Sequence, residues 1–241
     1  PKADMDVMRC LVCDIRNKSL CSSMDEEGLA ALAHSSRQLL LPPGTTIVEE
    51  GEPALAFINV TRGTVKLFKS LPDGRRQITG FADAGQFLGL STAQTYSFGA
   101  ETVDNVRLCR FLRPQLEALL SDYPTFERRL LAAVTDKLAE AQEQMLLLGR
   151  KTAREKVATF LLDRMRAFHQ TANRRQEAEN MASVPMTRVD IADYLGLTIE
   201  TVSRTISAFR RSMLIASAEN HRIRILSVAT LLNIASGQKA D

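Results

Sequence analysis

Four cysteines carry the first chemical signal in this 241-residue chain: Cys10, Cys13 and Cys21 crowd a short N-terminal segment, and Cys109 stands far away alone. Thiolates are ligands for zinc and iron, and the spacing Cys10-x2-Cys13-x7-Cys21 is hard to explain by packing. Cys109 taken singly reads as a core residue, yet it is the one thiol left to complete a quartet. Residues 1–8 carry two Asp and no apolar stretch, so no secretory signal is expected, and the Pro at the start reads as a processed or trimmed end. In a reducing compartment a metal is favoured over disulfides. Tetrahedral zinc and an iron–sulfur cluster both accept four thiolates, and spacing does not choose between them; buried thiols and redox-active thiols are the other readings.

A second group of residues is spaced for reading DNA. Over residues 187–211, Ala192 is small where two helices would touch, Gly196 suits a turn that needs positive φ, and Val202 fills the space beneath a second helix. Thr198 is placed to cap that second helix, with Ile199, Val202, Ile206 and Phe209 predicted inward and Glu200, Ser203, Arg204 and Ser207 outward. In a major groove Arg can bind guanine O6 and N7, Glu can accept from cytosine N4, and Ser can meet several bases. An acid facing a polyanion is unfavourable unless it reads a base, although Glu200 and Arg204 could also be a plain i,i+4 ion pair. Beyond this pair, His221, Arg222 and Arg224 alternate with Ile223 and Ile225 in a predicted hairpin over 214–226, as a wing carrying Arg222 to phosphate would. Charge agrees: the net +3 divides into −3 over residues 1–148 and +6 over 149–241.

Elements must position these groups. Eight of the twelve glycines lie between Gly44 and Gly99, and strand-length stretches at 45–48, 57–60, 64–68 and 77–81 sit between turn signals. That texture predicts a β-sandwich or small barrel. From Tyr123 to about Arg150, Pro124 at the start and Gly149 at the end leave the interior without Gly or Pro, and Leu131, Val134, Leu138, Ala141, Met145 and Leu148 recur at alternating spacings of three and four, which predicts a long helix with a coiled-coil seam. The seam is read as a parallel homodimer rather than a stripe packed on the β domain. A further helix is predicted over 153–169 with Val157, Phe160, Leu161 and Met165 on one face, then a polar surface connection over 170–180. No apolar run is long enough to span a bilayer, so a cytoplasmic protein with no membrane partner is expected.

The cysteine-rich N-terminus, glycine-punctuated β region, long helix and Glu200-x-x-Ser203-Arg204 together resemble the fumarate and nitrate reductase regulator (FNR) family of the cyclic-AMP receptor protein superfamily. The resemblance runs from about Val7 to Leu232. The seven-residue spacer before Cys21 is similar to the FnrN/FnrL subgroup. The family implies an oxygen-labile [4Fe-4S] cluster on Cys10, Cys13, Cys21 and Cys109, dimerisation when the cluster is intact, TTGAT paired with ATCAA as operator, contact with RNA polymerase and activation of anaerobic genes. Ala141 stands where well-known members carry Asp in the seam, so an appreciable dimer is expected even without a cluster.

The expected fold is α+β: a cysteine-rich segment over 1–30, a β-sandwich or jelly-roll sensor domain over 31–113, a coiled-coil dimerisation helix over 114–150 and a winged helix-turn-helix over 151–241. Cyclic-nucleotide binding is not expected. Receptors of that kind hold ribose with a Glu and phosphate with an Arg-Ser pair, and Leu90, Phe98 and Gly99 take those places here. A zinc- or thiol-based redox regulator of the same fold is the alternative, followed by an iron–sulfur electron carrier. No nucleotide fingerprint or nucleophile pattern supports an enzyme, and His34, a poor axial ligand in a helical lead-in, does not support haem.

Overall fold

A computed structural model describes residue 8 and residues 10–89, 94–171 and 180–238. The chain divides into two compact units, Pro1–Ala139 and Glu140–Asp241.

In the first unit, helix α1 (Glu26–His34) is capped by Asp25, whose carboxylate accepts from the Gly28 amide at 2.8 Å. Eight strands follow: β1 (Ser36–Leu41), β2 (Thr46–Val48), β3 (Ala56–Arg62), β4 (Thr64–Ser70), β5 (Arg76–Asp83), β6 (Phe87–Leu88), β7 (Gly99–Thr102) and β8 (Val106–Leu112). They form two four-stranded antiparallel sheets, ordered β1-β8-β3-β6 and β2-β7-β4-β5. The predicted sandwich is present, and each predicted strand lies within or against an observed one. β1 is new: its Ser-Arg-Gln-Leu-Leu-Leu run has neither alternation nor β-branched residues to announce it. The turn between β3 and β4 requires glycine, since Gly63 has φ +85° and a Cβ there would lie 2.6 Å from the Asn105 carbonyl oxygen.

Period-two alternation gives the first sheet two different faces. Ile58, Val60, Val106 and Leu108 point to the second sheet and join Val48, Val65, Ala82 and Ala100 in one core. Phe57 and Phe111 point the other way, into a second core with Leu29 and Leu32 of α1. Leu116 and Leu119 of α2 (Arg113–Asp122) join the same core.

The long helix is α3 (Pro124–Arg150). It carries two apolar rows. Phe126, Leu130 and Ala133 pack into the second core of the β unit. The predicted seam is a different row: Leu131, Val134, Leu138 and Met145 are 44–67% exposed, and Ala141 is exposed with them. Leu148 departs from the row and is half-buried, with Leu147 beside it 3% exposed.

The second unit holds α4 (Ala153–Thr171), β9 (Met181–Ser183), α5 (Arg188–Leu195), α6 (Ile199–Arg211), β10 (Ile215–Ala218), β11 (Arg222–Ile225) and α7 (Val228–Ala235). Helix α4 buries Val157, Phe160 and Leu161 as predicted, but also Lys156, Leu162 and Arg164, while Met165 is only half-buried. The predicted hairpin is the pair β10–β11, widened by β9 into a three-stranded sheet ordered β10-β11-β9. Most of the polar connection, residues 172–179, lies outside the described residues. Among the described residues no helix is long and apolar enough to cross a membrane.

Candidate cysteine pocket and nucleic-acid interface

The N-terminal cysteines sit on short turns rather than on a long element. Cys10 lies in a helical turn, the Cys13 amide donates to the Cys10 carbonyl at 3.4 Å, and Cys21 lies in the 3-10 turn Leu20–Ser23. Ser19 holds that turn by accepting from the Cys21 amide at 3.3 Å. Cys109 comes from β8, where it pairs with Gln38 of β1 on one side and Asn59 of β3 on the other. All four cysteines are half-buried thiols, and they line one pocket together with Arg16, Asn59 and Thr61.

Burial pushes the Cys109 thiol up to about 12, with Cys10, Cys21 and Cys13 adding to the shift. Burial also raises Cys21, against a lowering hydrogen bond from Ser19. Both therefore carry protons at neutral pH, and a metal group entering here must displace them. A single tetrahedral ion needs sulfurs gathered about 3.8 Å apart, the spacing that Zn–S bonds of about 2.3 Å impose. Among the described residues no three Cys, His, Asp or Glu side chains are grouped to hold one ion. A cluster makes a different demand, one thiolate at each iron around a shared volume. The donor set suits that demand: four soft ligands around one pocket, the Arg16 cation at its wall, and a buried Asn59 whose Oδ1 has no partner.

The second site is built on α5 and α6. Thr187 and Asp190 form a reciprocal cap: the Thr187 hydroxyl accepts from the Asp190 amide at 3.1 Å, and the Asp190 carboxylate accepts from the Thr187 amide at 3.0 Å. Gly196 ends α5 at φ +59°, as the turn demands. Thr198 caps α6 by accepting from the Thr201 amide at 3.2 Å. Two side chains hold the C-terminal carbonyls of α5, Gln144 donating to Tyr194 at 2.9 Å and Lys156 to Leu195 at 3.0 Å. Val202, Ile206 and Phe209 form the buried face of α6, whereas Ile199, expected inside, is 43% exposed because it stands at the first turn, beyond that face's packing partners.

Glu200 and Arg204 are exposed, and Ser203 and Ser207 are half-buried on the same helix. The Glu200 carboxylate is held below its usual pKa by its own backbone amide, then by the Thr198 hydroxyl, and last by Arg204. Among the described residues no ion pair within 4.0 Å joins Glu200 to Arg204, so the plain i,i+4 pair is not formed. In the wing, Arg222 is half-buried with its guanidinium 4.9 Å from the centre of the Phe168 ring. The stack fixes one face of the guanidinium and leaves its N–H groups at the edge, and Arg224 is the exposed cation two residues on in β11.

Two family models match this architecture: a cyclic nucleotide-binding domain over residues 38–123 and a Crp-like helix-turn-helix domain over residues 155–234. The nitrogen fixation regulation protein FixK of Bradyrhizobium diazoefficiens is 39% identical over 86% of each chain. The transcriptional activator protein FnrL of Cereibacter sphaeroides is 35% identical over 97% of this chain and 94% of its own. The chain belongs to the Crp/Fnr family. Members of the Crp/Fnr family are transcriptional regulators, not enzymes, and this regulator carries their DNA-binding domain. The solved structure of FixK2 from Bradyrhizobium japonicum superposes with a TM-score of 0.75 at 34% identity, covering 86% of this chain and 98% of that one. In this Crp/Fnr regulator Phe98 packs edge-on to Tyr96 against the β core, where a nucleotide receptor would place its phosphate-binding pair. Gly99 opens β7, and Leu90 lies outside the described residues.

Asn59, Gln144 and Lys156 escaped the sequence. The signal for Asn59 was faint, a polar residue at an inward position of a predicted strand, and its meaning depends on pairing with Cys109. Gln144 and Lys156 act on carbonyls roughly 40–50 residues away, which no local pattern marks.

Proposed function

We propose that this regulator is an oxygen-responsive transcriptional activator that holds a [4Fe-4S] cluster on Cys10, Cys13, Cys21 and Cys109, dimerises through α3 and binds a palindromic FNR-type operator. The observation that carries this reading is the meeting of three N-terminal thiols with Cys109 of β8 at one pocket. When bound, such a cluster supplies a redox-active, oxygen-labile centre. The chain's own part is to deliver four thiols, give up their protons and keep bulk water from Cys109. Residues 1–30 would be the cluster segment, 31–113 the sensor domain, 114–150 the dimerisation helix and 151–241 the reader of DNA in the cytoplasm. The exposed row Leu131, Val134, Leu138, Ala141 and Met145 supports a homodimer, with Leu148 continuing it at the half-buried end. Thr198, Glu200, Ser203, Arg204 and Ser207 would face the bases, with RNA polymerase met elsewhere on the surface.

Protein prepared without oxygen should be brown, contain about four irons per chain and bleach in air. Cys109→Ser should lose the cluster, since three thiols leave one iron without a protein ligand. Colourless protein with one zinc per chain would defeat this reading. A second reading, a regulator of the same fold that works without a cluster, has a specific support: among the described residues no three Cys, His, Asp or Glu side chains are grouped to hold one metal ion. Iron-free protein that binds the same operator, with or without air, would favour it.

A further inference from the structure

Asn59 stands out in the cysteine pocket. It is 2% exposed, lines the pocket from β3 directly beside Cys109, and its Oδ1 has no hydrogen-bond partner. Burying an amide oxygen without a donor is costly, and a leucine of similar volume would avoid the cost. Its neighbours offer no relief. Phe57 and Phe111 flank it on the same sheet face, and the nearby Thr61 hydroxyl donates elsewhere, to the Arg107 carbonyl at 3.0 Å. Gln38, on the other side of Cys109, is solvent-exposed, so Asn59 is the dry member of the row Gln38–Cys109–Asn59.

A carboxamide has two ends of nearly equal shape, and a half-turn about its last torsion exchanges oxygen for NH2. Thiolates and the sulfides of an iron–sulfur cluster are acceptors with no proton to give. Only the NH2 end of Asn59 can meet them. We propose that Asn59 donates its amide to sulfur of the group held by the four cysteines, and so sets how readily that group loses an electron. The inference rests on the cluster reading above. A donor at sulfur favours the more electron-rich state, and in a water-poor wall the effect is not diluted.

The test compares anaerobically reconstituted full-length wild type with Asn59→Leu and Asn59→Asp. Iron content, midpoint potential, bleaching rate in air-saturated buffer and thermal unfolding of the iron-free forms are measured. Asn59→Leu should load iron to the wild-type level, titrate at a lower potential and bleach about fivefold faster, the factor expected for one ordinary net hydrogen bond. Its iron-free form should melt at the same or a higher temperature, because an unsatisfied buried amide has gone. Asn59→Asp keeps the shape but replaces the donor with an anion; it should move the potential further the same way, and it carries the test if the leucine variant fails to load. Iron-loaded variants with unchanged potential and bleaching would overturn the role of Asn59 while leaving the cluster standing. Iron-free wild type would overturn the cluster reading and this inference with it.

Discussion

Glu200 and Arg204 stand four residues apart on α6 without an ion pair, and that separation matters for how each acts. The Glu200 carboxylate is held below its usual pKa first by its own backbone amide, then by the Thr198 hydroxyl and only last by Arg204, and both side chains are exposed. Arg204→Ala should therefore cost about 1–3 kcal/mol at the half-site G·C pair and relax the choice there. Glu200→Ala should broaden specificity while affinity for random DNA holds or rises, because a repelling charge is removed from a polyanion's face. Titrations at fixed salt on operators varied one position at a time measure both; an unchanged preference in both variants would mean that α6 does not read sequence. Arg222 belongs to a different class of effect. Its stack on Phe168 ties the wing to α4, so its loss should show first in stability.

At the scale of elements, the reading helix is only as well placed as the helix before it. Lys156 is 7% exposed, and its ammonium donates to the last carbonyl of α5 at 3.0 Å, where the helix dipole also favours a cation. Lys156→Met preserves length and removes both contributions, leaving the Leu195 oxygen without its donor. Urea unfolding of the full chain should show a loss of about 1.5–3 kcal/mol, the range for a hydrogen bond to a charged group. A variant as stable as wild type would mean that solvent or another donor replaces Lys156. Gln144 grips the neighbouring carbonyl from α3 itself. Thus two helices preceding the DNA-binding pair hold the end of α5 through side chains, and the turn at Gly196 follows from that anchor point.

At the scale of the whole molecule, α3 divides its apolar residues between two tasks. Phe126, Leu130 and Ala133 anchor it to the β core of the first unit, and the exposed Leu131 row is left over. Exposed leucines and valine at heptad spacing are costly in water unless a second copy covers them. Leu138→Glu, in the middle of that row, should shift sedimentation to monomer at micromolar concentration and abolish tight operator binding, since two half-sites about 34–36 Å apart require two linked readers. A dimer that survives this change would place the interface elsewhere. Ala141 puts no charge in the row, so iron-free wild type should still dimerise appreciably.

Local chemistry made much of this protein legible in the chain alone. Caps, turns and helical periodicity depend on neighbours a few residues away, and so Thr198, Gly196, the two helices they bound, the strand-rich segment and the length of α3 could all be read directly. The thiol quartet was legible as types and spacing. What only the tertiary structure decided were relations between distant segments. Register across three strands puts Asn59 and Gln38 on either side of Cys109, and packing, not periodicity, decides which apolar row of α3 is buried. The same holds for Arg222, whose alternation with isoleucines gave no hint of Phe168 waiting on another helix. A one-residue shift in strand pairing would carry Asn59 to the opposite face, and nothing within the strand's own residues forbids it; the cores on both sides of the sheet do.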